Sequence, residues 1–105
     1  MAHDQDLADR LRAALPGATE RAMFGGLAFL EGGRMVLAAN RAGVLMVRCD
    51  PARAEDLLAR PGVTRMVMRS REMAGWLVVQ ADQLEDEAAL RSWVETGLAG
   101  AAAAR

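Results

Sequence analysis

The chain holds one thiol and one imidazole, Cys49 and His3, in 105 residues. A cysteine nucleophile needs a base held beside it, and a structural zinc needs four ligands of the Cys and His kind. His3 lies at the very start of the chain, and Cys49 closes the run VLMVRC in phase with Leu45 and Val47. That phase predicts a buried structural thiol, so no catalytic residue, metal or cofactor is expected. The acids Asp82, Glu85, Asp86 and Glu87 crowd the start of a predicted helix. Carboxylates there complement the positive end of the helix dipole, which points to capping rather than acid–base work.

Glycine and arginine offer the remaining chemistry. Gly25 and Gly26 interrupt ERAMFGGLAFL. A phosphate cradle places such glycines before a helix, usually with a lysine. Here strand-like LAFLE follows, and the sequence contains no Lys. A β-bulge is expected instead, since glycine adopts the bulge conformation without steric cost and would turn Ala22–Phe24 away from the axis of the next strand. Arg21 and Arg48 could orient a carboxylate or phosphate. Arg60, Arg65, Arg69 and Arg71 form the densest basic stretch. With only two Phe and two Trp and no Tyr, stacking platforms for nucleic acid are scarce, and the stretch reads as a solvated strand and loop. Met73 and Trp76 flank Gly75, where they could close over a pocket or grip a partner.

These residues need elements to position them. DQDLADRLRAAL repeats Leu7, Leu11, Ala14 and Leu15 at helical spacing, with Asp4 as cap and Pro16-Gly17 as stop. Three short apolar runs follow, LAFLE, MVLAAN and VLMVRC, separated by EGGR and NRAG. Those separators are turn chemistry, so an antiparallel meander is predicted. Asp50-Pro51 opens a second helix, as N-cap and first-turn proline, and Pro61-Gly62 ends it. TRMVM and WLVVQ add two strands joined by RSREMAG. Asp82 to Glu85 matches a capping box before a helix carrying Leu90, Trp93, Val94 and Leu98, with residues 100–105 as a frayed tail. The order is α-β(3)-α-β(2)-α. It predicts one two-layer α+β domain over residues 1–105 with a five-stranded, mainly antiparallel sheet.

Composition narrows the setting. The chain is 52% hydrophobic with a net charge of -1, which favours a folded domain without general affinity for nucleic acid or anionic membranes. Residues 21–75 carry nine Arg against five acids, while both ends are acidic. One cysteine excludes an intrachain disulfide and fits a reducing compartment. No apolar run reaches the roughly 18–20 residues of a membrane span, and the acidic N-terminus is unlike a signal peptide. A cytoplasmic location without membrane contact is expected.

Side chains alternate along strands, so Val44, Met46 and Arg48 share one face and Leu45, Val47 and Cys49 the other. Met35, Leu37 and Ala39 are read as one set, and Trp76 and Val78 oppose Leu77 and Val79. Neither face of the sheet is cleanly polar, unlike an antiparallel sheet with one wet side. Three short helices cannot cover both faces of five strands. A homodimer or a protein partner on the second face is therefore expected.

The runs ERAMFGGLAFLEGGRMVLA, LMVRCDP, ARPGVTRMVM and REMAGWLVV, in this order from about Leu7 to Leu98, resemble the N-terminal domain of the TfoX/Sxy competence regulators. MFGG is the most specific element. Arg48 and Met73-x-x-Trp76 add to it. The resemblance implies an α+β fold ordered α-β(3)-α-β(2)-α, the order reached above from spacing alone. Full-length members regulate natural-transformation genes alongside a cyclic-AMP-responsive transcription factor, and carry a second, helical domain resembling helix-hairpin-helix modules. These 105 residues contain no counterpart of that second domain. The family supplies no catalytic residues. Its recurring positions fall here on Arg21, Met23, Phe24, Gly25, Gly26, Arg48, Met73 and Trp76.

Together these observations predict a non-enzymatic regulatory or protein-interaction domain. Arg21, Phe24, Arg48, Met73 and Trp76 are its candidate binding residues, and Gly25 and Gly26 its structural glycines. The alternative is a binder of a small anionic ligand or nucleic acid through the Arg-rich middle, although direct nucleic-acid contact is not expected.

Overall fold

A computed structural model of the chain describes residues 2–23, 25–40 and 42–104, with side chains from Gln5 onward. The elements run α1 (Ala2–Ala14), β1 (Thr19–Met23), β2 (Gly26–Glu31), β3 (Arg34–Asn40), β4 (Leu45–Arg48), α2 (Ala54–Leu58), β5 (Val63–Met68), β6 (Arg71–Val79) and α3 (Glu87–Ala103). The strands form one sheet in the order β1-β2-β3-β4-β6-β5, and each neighbouring pair is antiparallel. The two-layer α+β class is as expected, with six strands in place of five.

The extra strand comes from the glycine pair. Met23 faces Gly26 across the antiparallel β1–β2 ladder, so the two strands form a hairpin. Gly25 holds φ +69, the left-handed conformation that a two-residue hairpin demands. Gly25 thus stands in a turn between two strands rather than in a bulge within one, and Gly26 begins the second strand. Gly26 has a second reason to be glycine, because a Cβ there would collide with the Ala39 carbonyl oxygen.

Bulges occur elsewhere. Phe29 pairs with Leu37 and Leu30 with Met35, leaving Val36 unpaired. The extra residue shifts the phase of β3, so Met35 lies on the opposite side from Leu37 and not with it. In β6 the ladder jumps from the Arg65–Leu77 pair to the Val67–Glu72 pair, with Gly75 at φ +79 inside the excursion. The tight turn of this hairpin is Arg69-Ser70, both at positive φ, so β6 begins earlier than predicted and contains Met73 and Trp76.

All three helices lie on one side of the sheet. Leu7, Leu11 and Leu15 from the α1 region, Leu57 from α2, and Leu90, Trp93 and Val94 from α3 meet Phe29, Leu37, Leu45, Val47, Leu77 and Val79 in the main core. Arg10 ties α1 to the α3 region, donating to Glu87 and to the Leu84 carbonyl at 2.8 Å each. Gly97 and Gly100 let α3 settle against strand backbone. A Cβ on Gly100 would lie 2.6 Å from the Arg48 carbonyl carbon.

The helix ends differ in part from their sequence signals. Asp50 accepts from the Ala52 N–H at 3.0 Å, capping a 3-10 turn, Pro51–Arg53, ahead of α2. Residues Ala81–Leu84 form another 3-10 turn, and the cap of α3 is Asp86, accepting from the Ala89 N–H at 3.1 Å. The capping box at Asp82 is thus displaced by one turn. α3 continues to Ala103 with Gly100 and Ala101 buried, where a frayed tail was expected. α1 starts ahead of Asp4, whose side chain lies outside the described residues.

Candidate functional site: the helix-free face of the sheet

The second face of the sheet builds a cluster of its own, made entirely of strand residues. Ala28, Leu30, Ala38, Met46, Met66 and Trp76 are buried in it, with Met23, Met35, Met68 and Val78 packed around them and partly exposed. The register explains the arrangement. Arg21, Ala28, Ala38, Met46, Val78 and Thr64 stand opposite one another in one row across the sheet. The two alanines form a low floor that the longer neighbours overhang. Five of the seven methionines stand on this face.

The expected reason for a partner therefore changes. No helix contributes to this cluster, as the shortage of helix implied. Yet its centre is sheltered by its own strands, and no large bare apolar patch remains there. Among the described residues, the large hydrophobics classed as exposed are Val67, Met73 and Leu98. What the face offers a visitor is its half-buried rim of Met23, Met35, Met68 and Val78.

Its charge is one-sided. Arg21 pairs with Ala28, Arg48 with Trp76, and Arg71 with Met68. Residues paired directly opposite share a face, so all three arginines stand with the methionine cluster. The strand acids stand on the helix side. Glu20 binds Arg12 of α1 at 2.7 Å, Glu72 approaches Arg65 at 3.9 Å, and Glu31 follows Leu30 on the alternate side. Arg65 itself pairs with Glu55 of α2 at 2.6 Å. Among the described residues no ion pair engages Arg21, Arg48 or Arg71.

Arg48 and Trp76 are the candidates that the fold brings together. The guanidinium carbon lies 5.1 Å from the ring centroid, within cation–π range. Trp76 is only 8% exposed, so it is a wall of the cluster more than a free anchor. Arg21 stands three strands away from Arg48, about 14 Å of sheet, and the two do not converge on one small anion. Met73 is exposed and belongs to neither cluster. Phe24 lies outside the described residues. Of the basic stretch, Arg65 is paired as above and Arg60 lies 5.2 Å from the Trp93 ring.

A small cleft of about 180 Å3 opens beside Arg48 and Trp76, walled by Pro51, Gly75, Gly100 and Ala103. A larger cavity of about 500 Å3 lies between α1 and the Gly25–Gly26 turn. The charged residue lining it is Arg12, already engaged by Glu20 and Asp9. Cys49 is buried. Burial, and secondarily the Asp50 carboxylate, push its thiol pKa up, which favours the protonated form. No group of three His, Cys, Asp or Glu among the described residues could hold a metal ion. Among the described residues no helix is long and apolar enough to cross a membrane.

Met35, Met66 and Met68 are absent from the candidate binding residues read from the sequence, and Arg71 is read there as part of a solvated basic stretch. Their common signal is the cross-strand register, which two bulges hide. Compared with known proteins, the chain matches the family model described as TfoX N-terminal domain over residues 9–101. No curated protein and no solved structure matches it.

Proposed function

The chain belongs to the TfoX N-terminal domain family, and on that premise we propose that it is a non-enzymatic, cytoplasmic protein-interaction module in a regulatory setting, docking its partner on the helix-free face. The observation that carries this reading is the composition of that face: five methionines and Trp76 around an alanine floor, with arginine as the charged strand residue there among the described residues. Methionine is unbranched and polarizable, and suits surfaces that adapt to another protein's side chains. Arginine supplies orientation through paired hydrogen bonds to carboxylates. Competence regulation, which the family resemblance implies, is the setting proposed for this docking.

A photo-crosslinking amino acid placed at Met35 or Met68, in the native cell, tests the reading. Both side chains are on the rim, and neither substitution removes a fully buried group. The expected result is a discrete protein adduct from these two positions and none from Leu98 or Ala99 on α3. Adducts from the α3 positions alone would overturn it.

A further inference from the structure

Resting on that docking reading, we propose that the occupant of the face is an acidic amphipathic helix from a different protein, and not a second copy of this chain. A two-fold dimer places one surface patch against itself. The charged strand residues of this patch are Arg21, Arg48 and Arg71. A copy seated on it would bring cations against cations, with the strand carboxylates turned to the helix side, where Glu20 and Glu72 face Arg12 and Arg65. Like charges so placed suppress association, while a partner of opposite sign is steered and oriented.

The geometry also sets a length. Arg21 on β1 and Arg71 on β6 are separated by four strand spacings, about 19 Å across the sheet, and by about 20 Å along it, since Arg21 shares its row with Val78, which makes about 28 Å on the diagonal. A helix rises about 1.5 Å per residue, so roughly 18 residues laid diagonally span the pair. A helix packing one apolar stripe on the methionine rim, with carboxylates flanking that stripe, meets all three arginines. Methionine-rich grooves receive helices in this way elsewhere. The sheet's other side already carries α3 in the same layer relation.

The probe is a labelled 18-residue peptide with leucine on one helical face and glutamate flanking it, read by fluorescence anisotropy against the whole chain. The expected result is saturable binding, weakened tenfold or more when the same residues are scrambled out of helical phase. The exposed pair Arg21→Glu with Arg71→Glu weakens it by a similar factor, and the lysine counterpart of the peptide then binds the variant better than the unaltered chain. A dT oligonucleotide binding as tightly as the peptide would overturn the proposal in favour of a polyanion site. So would a sedimenting dimer abolished by Arg21→Glu. If the peptide fails while crosslinks from Met35 and Met68 persist, the docking reading stands and the acidic helix falls. If both fail, both fall.

Discussion

Gly100→Ala should destabilise the protein although it improves the helix that contains it. A methyl group at this position meets the Arg48 carbonyl carbon and oxygen at 2.6 Å and the Cys49 Cα at 2.7 Å. Carbon atoms pack best at about 3.5–4.0 Å, so the overlap is about 1 Å. The obstructing atoms are backbone, held by the β4–β6 ladder and by the Cys49 N–H donating to the Gly75 carbonyl at 2.7 Å. Neither side can swing away, and α3 must lift from β4. Overpacking of this kind costs about 1–3 kcal/mol. Alanine recovers at most about 1 kcal/mol over glycine in a helix interior. With three backbone atoms overlapped the cost falls at the upper end, about 2–3 kcal/mol, so the net loss is about 1–2 kcal/mol, or about 4–16 °C in Tm for a domain of this size. Urea unfolding gives the measurement, with a lower midpoint at unchanged slope. Ala99→Gly, at an exposed position on the same helix, isolates the propensity effect at about 1 kcal/mol. A Gly100→Ala midpoint equal to or above that of the unaltered chain would show that α3 does not sit this close to the sheet.

Three further outcomes follow from named contacts. Asn40 accepts from the N–H groups of Ala42 and Val44 at 2.9 and 3.1 Å, so Asn40→Ala should lose about 1–2 kcal/mol and speed hydrogen exchange at those two amides. Leu37 is fully buried in the main core, and Leu37→Ala should cost about 2–5 kcal/mol by the same urea assay. Cys49 has a raised native pKa, first through burial and then through Asp50. The unfolded thiol loses its proton from about pH 8.5 while the native one keeps it. Above that pH the native state binds more protons, so this group's contribution to stability declines as pH rises towards its native pKa. Cys49→Ala should flatten that decline, and a disulfide reagent should react with the native thiol far more slowly than with the urea-unfolded chain.

The helices and most strands were legible because their signals are local. Leu7, Leu11 and Leu15 repeat at helical spacing and fall on one core face. Gly32 and Gly33 take the positive φ of the hairpin predicted for EGGR. The alternation in β4 and at the end of β6 correctly separates Met46 and Arg48 from Leu45 and Val47, and Trp76 from Leu77. Less local features were missed. MFGGLAFL supports a bulge or a turn equally well from its residues alone, and only pairing of Thr19–Met23 with β2 decides for the turn. The unpaired Val36 resets which side of β3 faces the helices, so grouping Met35 with Leu37 failed for want of the partner strand. The one-sided charge of the second face depends on the same register. Arg71 and Glu72 are adjacent in sequence, and nothing local says which joins the methionines. The shelter of that face was unreadable too, because it arises from how methionine and tryptophan overhang Ala28 and Ala38 across four strands.

Methionine-methyl NMR reports on the docking face directly, since five of the seven methionines stand there. With 13C-methyl methionine and 13C-methyl leucine incorporated, addition of the leucine–glutamate peptide should move the Met23, Met35 and Met68 signals together along one saturation curve, leaving the Leu98 methyls on α3 in place. Saturation with those three signals unmoved and Leu98 shifted would put the binding surface on the helical side, and a spectrum unchanged throughout would remove it altogether.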